Sequence, residues 1–387
     1  MATRNGFPTH AAVVVIGGGV MGLSSAYQLA SAGVKDVVLI EKGSLGEGSS
    51  SRAAGGLRAQ FSDEANIRLA LRSMETYRTF AADFDQEIDL HEVGYLFLLD
   101  NEADVATFTA NVELQNSLGV PSRMISADEA QQLSPLIETD DLLAAAFSPT
   151  DAHCTPESVV LGLARAARKA GVRIVTACAA TDIELDGDAV AAVTTSKGRI
   201  ATRSVVCAAG AWSRSVGEWV GVALPVVPLR RQIVLTEAIE GLDPDTPLTI
   251  DFSTSFYFHR EGRGLLFGKG ESEDSWGYDL SRSPNWLGEL AEAIGHRIPR
   301  IGDVGIAQGW VGLYEMTPDH NGLIGESEDV SGFFYAAGFS GHGFMMAPAV
   351  GEAVRDLYLR LEPAIDVAPL SASRFHAAET RPEHNFI

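Results

Sequence analysis

The chain has 387 residues, 46% of them hydrophobic and 21% charged, with 39 glycines. That balance describes a globular protein of about two domains and excludes a disordered tail protein or a small disulfide-stapled module. Lysine and arginine total 29 against 51 acidic residues, and the formal net charge of -22 repels phosphate backbones and anionic lipid headgroups, which argues against nucleic acid as a partner.

In chain order, residues 1–10 lack the apolar core of a secretory signal, and no later run reaches the ~20 apolar residues of a membrane-spanning helix. Residues 11–16 form a valine-rich run ended by glycines, which predicts a strand buried on both faces of a parallel sheet. A helix is predicted over 20–32 with its stop at Gly33, followed by a second buried strand over 37–40 closed by Glu41. Together they make one strand, helix, strand unit. Ser62 or Asp63 caps a further helix carrying Ile67, Leu71, Met74 and Phe80, and residues 102–118 predict another. Thr155 caps a helix with Pro156 at its first position and Gly171 past its end, leading into a strand over 172–175 that extends the same sheet.

From about residue 224 to 312 the texture changes. Short β-rich runs at 232–236, 255–259 and 265–268 alternate with Pro, Gly and Asp turns, which predicts a second, largely antiparallel domain. Residues 333–335 predict a strand, and 348–361 a helix packing back on the first domain. Cys154, Cys178 and Cys207 are too far apart for a zinc knuckle or a CxxC pair and odd in number. A cytoplasmic protein is therefore expected, with no metal site.

Gly17, Gly19 and Gly22 spell GxGxxG directly after a strand and before a helix, with Glu41 at the end of the next strand. Glycine lets the backbone turn sharply and approach a pyrophosphate, whose charge meets the free amides of the helix start at Val20 and Met21. Glu41, followed by Lys42, is placed to accept ribose hydroxyls. No second GxGxxG follows. Instead Ser50, Ser51, Arg52, Ala53, Gly55, Gly56 and Leu57 form a run of mostly small residues rich in backbone amides, which suits the extended FAD better than NAD; a mobile loop is the other reading.

These residues resemble the FAD-dependent amine oxidoreductases related to D-amino acid oxidase, in the branch of sarcosine oxidase, glycine oxidase and the β subunits of sarcosine oxidase and proline dehydrogenase. The resemblance covers nearly the whole chain. Its pieces are the glycine fingerprint with Glu41, the loop 50–58, the strand end Ala208-Ala209-Gly210-Ala211-Trp212-Ser213, the turn Thr317-Pro318-Asp319, and Gly338-Phe339-Ser340-Gly341-His342-Gly343-Phe344. It implies an α/β fold: a discontinuous Rossmann-like FAD-binding domain over 1–92, 148–222 and 318–387, and a mainly antiparallel β substrate domain over 93–147 and 223–317. It also implies that Val175, Ala209, Gly210 and Trp212 lie near the cofactor. Gly338, Ser340, Gly341, His342, Gly343, Phe344 and Met345 would pass close to the flavin ring. A plain strand-to-helix turn and a structural histidine would look the same in sequence.

The implied activity is hydride transfer to flavin from a small secondary or N-methylated amino acid, sarcosine- or proline-like, with hydrolysis of the imine. Glycine or D-amino acid oxidation, the flavoprotein β subunit of a heteromeric dehydrogenase complex, and an assembly factor binding FAD without turnover are the alternatives. Arg58 matches a substrate-carboxylate arginine, for which a guanidinium fork is chemically suited; pairing with an acidic side chain or a FAD phosphate is its other reading. Arg52 is expected nearer the flavin. Tyr257 and Tyr314, ahead of His259, Trp276 and Trp310, are expected to wall the substrate pocket.

Departures from the family pattern matter as well. Met345 replaces a second carboxylate-binding lysine, Gly312 a cysteine that attaches FAD, and Arg52 a histidine that attaches it, so FAD is expected to bind non-covalently. Leu266 replaces an oxygen-activating lysine, and Lys269, three residues on, points to the other face of a regular strand. The expected partners are an amino acid or amine and either oxygen or another electron acceptor, with a partner subunit as an alternative.

Overall fold

In the computed structural model, which describes residues 6–376 and 380–386, the valine-rich runs lie at the centre of a six-stranded sheet. The opening residues 1–5 of the segment read above for a signal lie outside the described residues. The strand order is Leu323–Glu326, Phe333–Ala337, Val205–Cys207, Val13–Ile16, Val37–Ile40, Arg173–Val175. All neighbours are parallel except Leu323–Glu326, which runs antiparallel at one edge. The strand after the Pro156 helix does extend the sheet: Leu39 and Ile40 pair with Ile174 and Val175.

Every residue of Val13–Ile16 and Val37–Ile40 is buried, because both faces are covered. The two-residue period divides them between two cores. Val13, Val15 and Leu39 face helices Val20–Ser31, Glu64–Arg78, Pro156–Lys169 and Gly343–Tyr358. Val14, Ile16, Val38 and Ile40 face the antiparallel meander Ala180–Asp186, Ala189–Thr195, Gly198–Ala201.

Eight strands form the second sheet, in the order Ile306–Met316, Val227–Thr236, Gly264–Lys269, Phe256–Glu261, Leu248–Asp251, Tyr95–Leu99, Ala144–Ser148, Arg123–Ile125. Only Leu248–Asp251 and Tyr95–Leu99 pair in parallel. Helix Pro284–Arg297 covers one face through Trp286, Leu290 and Ala293; the other face turns toward the first domain. No helix among the described residues is long and apolar enough to cross a membrane.

Two elements differ from the sequence expectation. The helix capped by Asp63, whose side chain accepts the Ala65 amide at 2.9 Å, ends at Arg78, and Phe80 opens a separate helix, Phe80–Phe84. The last long helix starts at Gly343 rather than at Pro348. A proline inside a helix removes the N–H that would serve the carbonyl four residues back, here Phe344. The Tyr77 hydroxyl donates to that carbonyl at 2.5 Å, and the Ala349 amide, next after the proline, donates to Ser73 Oγ at 3.1 Å. Neighbouring side chains thus satisfy the break, and the helix begins five residues early, bringing Gly343, Phe344 and Met345 into its first turn.

Thr317-Pro318-Asp319, part of the family resemblance, has a structural explanation. Asp319 is 2% exposed and takes both Nε and Nη2 of Arg374, at 2.8 and 2.9 Å, a buried bidentate pair that ties this turn to the end of the chain.

Candidate cofactor and substrate site

The parallel strands of the first sheet end at Ile16, Ile40 and Cys207, and their carboxyl ends open into a cavity of about 710 Å³ closed by the second sheet. The crevice beyond the carboxyl ends is where open α/β sheets bind ligands.

At the dinucleotide end Gly17 has φ +116°, and a Cβ there would collide with the Ala208 carbonyl. A Cβ on Gly22 would collide with the Gly17 carbonyl, so both positions need glycine for steric reasons. The helix that follows has no acidic residue in its first turn, and Ser50 Oγ accepts the Val20 amide at 3.0 Å. Glu41 accepts the amides of Gly18 and Gly43, each at 2.7 Å, which orients its carboxylate along the cavity wall while lone pairs remain for a further donor. The Lys42 ammonium sits 3.0 Å from the centre of the Trp212 ring, and burial lowers its pKa. Trp212 stacks in turn on Tyr278. This end therefore offers a carboxylate, an aromatic face and the amides of a helix start.

At the other end the side chains come from the sheet in alternation. Cross-strand pairs Arg231 with Gly312, Leu229 with Tyr314, Ile233 and Tyr257 with Gly268, and Leu248 with Tyr95 share one face, and from it Arg231, Ile233, Gly312, Tyr314, Tyr257, Leu248 and Tyr95 border the cavity. Lys269 lies on the opposite face, 3.3 Å from Glu289 of the covering helix, while Leu266 is buried.

Arg58 is 4% exposed, with its guanidinium 4.0 Å from the Phe61 ring centre. Its Nη1 donates to the Gln60 carbonyl and its Nη2 to the Asn385 carbonyl at 2.5 Å. Burial lowers its pKa, opposed by the charge of Glu383.

Three residues bordering the cavity each carry a buried polar atom with no hydrogen-bond partner among the described residues: Arg231 Nε, Glu315 Oε2 and His342 Nε2. Burial, reinforced by the Arg58 charge, holds the His342 imidazole near a pKa of about 3, so it is neutral at physiological pH. Burial pushes Glu315 up to about 7 against the amides of Gly338 and Phe339. Desolvation raises Tyr257 and Tyr314 as well, so both keep their protons.

Most of the residues singled out in sequence do border this one cavity: Gly17, Gly19, Val20, Met21, Glu41, Lys42, Ser50, Arg52, Ala53, Gly55, Gly56, Arg58, Ala209, Gly210, Trp212, Tyr257, Tyr314, Ser340, Gly341, His342, Gly343, Phe344 and Met345. Others sit behind it. Gly22 packs against Gly17, Ser51 donates its amide to Gly46, Leu57 pairs with Ala152, and the Val175 carbonyl accepts the Glu41 amide at 3.0 Å. Gly338 lies against Thr317.

Of the secondary aromatic candidates, none reaches the cavity wall. Trp276 is 54% exposed on the outside. Trp310 donates Nε1 to the Arg52 carbonyl at 3.0 Å. His259 is fully buried under the loop, its ring nitrogens 2.9 Å from the Ala54 carbonyl and 2.8 Å from that of Arg260. With His153 and Glu261 it forms a group of potential metal-binding atoms within 4.8 Å of one another; burial lowers the His259 pKa, and the neutral ring donates its one N–H to one of the two carbonyls. His259 thus braces the cofactor loop from behind.

Sequence reasoning missed Tyr95, Arg231, Leu248, Glu315 and Phe386, all on the cavity. Arg231 was within reach, since it continues the alternation of a predicted strand. Phe386 and the Asn385 carbonyl were not, because the tail is brought to Arg58 by Glu383, which accepts from Ser62 and Asn66 at 2.7 and 2.9 Å, contacts that no local pattern announces.

A family model described as FAD dependent oxidoreductase matches residues 12–357. The chain belongs to that family. Rat (Rattus norvegicus) mitochondrial dimethylglycine dehydrogenase is 31% identical over 386 residues, an alignment covering 95% of this chain and 45% of the relative. Mouse (Mus musculus) mitochondrial sarcosine dehydrogenase is 30% identical over 391 residues, covering 96% of this chain and 42% of the relative. The chain thus spans less than half the length of these two relatives. Among solved structures, L-proline dehydrogenase from P. horikoshii superposes with a TM-score of 0.91 at 34% identity, covering 97% of this chain and 100% of that one. FAD is the cofactor of this oxidoreductase. The glycine approach at one end of the cavity and the residues with unpartnered polar atoms at the other fit a ligand that spans it.

Proposed function

We propose that the chain oxidises the C–N bond of a small secondary or N-methylated amino acid, sarcosine- or proline-like. The observation that carries this reading is the composition of the cavity beyond the cofactor loop: a desolvated guanidinium, Arg58, a neutral histidine, His342, and the tyrosines Tyr95, Tyr257 and Tyr314. Bound FAD supplies the hydride acceptor, and the oxidised substrate leaves as an imine that water hydrolyses.

The protein's own groups provide the rest. Arg58 has five N–H donors and spends two on carbonyls, so a substrate carboxylate can be held by the others. The guanidinium charges of buried Arg58 and partly buried Arg231 disfavour an ammonium beside them and so favour the neutral amine, the form that can lose hydride. His342 Nε2 is available to an amine N–H without bringing a charge. The aromatic walls exclude bulk water.

FAD is held without a covalent bond in this reading, because Gly312 carries no side chain and Arg52 is not a nucleophile; its Nε donates to the Glu47 carbonyl at 3.0 Å. With Leu266 buried and Lys269 on the far face of its strand, the reduced protein passes electrons to an acceptor other than oxygen. The test is anaerobic mixing with a panel of amino acids and amines. Sarcosine or L-proline should bleach the flavin absorbance, the colour should leave the protein on acid precipitation, and air should restore the spectrum slowly. A panel in which no amino acid bleaches the flavin overturns the proposal.

A further inference from the structure

Two guanidiniums, those of Arg58 and Arg231, border the cavity beyond the cofactor loop. Arg58 stands near Tyr95, with Phe97 5.6 Å from its guanidinium, and its charge acts on Tyr95 and Tyr314. Arg231 stands on the strand next to Tyr314, its guanidinium 5.3 Å from that ring centre, and its charge acts on Tyr314 and Tyr257. Tyr314 therefore feels the charge of both guanidiniums.

The two arginines differ in what already serves them. Arg58 has two backbone carbonyls, and the buried carboxylates of Glu383 and Asp151 act on it. Arg231 has the Arg230 carbonyl at 3.1 Å and a long 3.5 Å pair with Asp274, whose side chain is 45% exposed. A pair of that kind contributes little. Arg231 borders the cavity, and its Nε–H is buried with no acceptor among the described residues. A guanidinium with a buried, unmet N–H is costly unless a ligand completes it.

We propose that Arg231 is a second carboxylate receptor and that the substrate is an imino dicarboxylate, a secondary amine with one carboxylate on each side of the nitrogen. This rests on the oxidation proposed above and names its substrate class. Arg58 takes the carboxylate on one side of the nitrogen and Arg231 the other, while Tyr314 packs against the chain between them.

The experiment uses the FAD-loaded protein and two non-oxidisable sulfides in which sulfur replaces the amine: thiodiacetate, with two carboxylates, and (methylthio)acetate, with one. Binding is read from the shift of the flavin spectrum. Thiodiacetate should bind about tenfold or more tighter, the contribution expected of an added charge-assisted fork. Arg231→Gln should reduce that ratio to about one, and Arg231→Lys should keep part of it. Anaerobically, iminodiacetate should reduce the flavin more efficiently than sarcosine. Equal affinity for the two sulfides, or a ratio that survives in Arg231→Gln, overturns the proposal. A loss of bound FAD in that variant with the ratio intact also overturns it, assigning Arg231 to the cofactor instead. If sarcosine or proline bleaches the flavin while the sulfides bind equally, the substrate class falls and the oxidation stands; if no amino acid of either kind bleaches it, both fall.

Discussion

Replacing Glu315 by glutamine should make the flavin-free protein more stable in alkali but not in acid. The carboxyl is completely buried, one of its oxygens has no partner among the described residues, and burial moves its pKa from 4.5 to about 7. A group whose pKa is raised by folding stabilises the native state fully below its unfolded pKa and loses that contribution as pH rises through the folded one, because the unfolded chain releases the proton first. Over the interval from 4.5 to about 7, at about 1.4 kcal/mol per pH unit, the loss comes to about 3 kcal/mol. Glutamine keeps the shape and never ionises. Denaturant unfolding of the two proteins at pH 5, 6, 7 and 8 should therefore give a difference that grows from under about 1 kcal/mol at pH 5 to about 3 kcal/mol at pH 8 in favour of the variant. Asp151, also raised to about 7 by burial, titrates in both proteins and cancels in the difference. Two pH profiles that run parallel would refute the claim that Glu315 is buried without a counter-charge.

Tyr77→Phe removes the donor to the Phe344 carbonyl, which Pro348 cannot serve, and should cost about 1–3 kcal/mol in urea unfolding; an unchanged midpoint would show that the carbonyl finds another partner. Gly22→Ala drives a Cβ into the Gly17 carbonyl and should lower FAD affinity by about 100-fold or more, read as flavin lost on gel filtration, with the second sheet still folded by circular dichroism; retained flavin would mean that the turn can relax.

Where a segment is controlled by its neighbours in sequence, its structure is legible. The run at 13–16 is valine on every residue but the last because both faces are covered, and the glycines that follow are needed by carbonyls a few residues away or on the adjacent strand. The cofactor loop is similar, since Ser50 and Glu41 meet the amides of Val20 and Gly18 within one strand, helix, strand unit and the loop that follows it. The start of the last long helix was not legible. Pro348 is a strong N-terminal signal, and it is overridden only because Tyr77 and Ser73, on another helix, supply the missing partners. A single sequence carries no sign of such a rescue.

The substrate end escapes sequence reasoning for a different reason. Its residues are every second position of several strands, so each contributes one side chain beside a neighbour that points away: Arg231 faces the cavity while Arg230 binds Glu271 on the other side at 2.8 Å. Aromatic content alone selects Trp276 and Trp310 as readily as Tyr257, although Trp276 is exposed outside and Trp310, in phase with Gly312 and Tyr314, meets the Arg52 carbonyl instead of the cavity that Tyr257 reaches. The phase is set by the register with Gly268 and Leu266, which depends on long-range pairing. The cofactor end must present backbone amides, so it constrains glycines in a readable order, whereas the substrate end presents side chains on a scaffold indifferent to their identity. In the reading proposed above, substitutions at Arg231, Tyr95 or Tyr314 therefore change what is oxidised while leaving the sheet and the flavin turn intact, so the cofactor is read from the opening turn and the proposed substrate class from the charges facing the cavity.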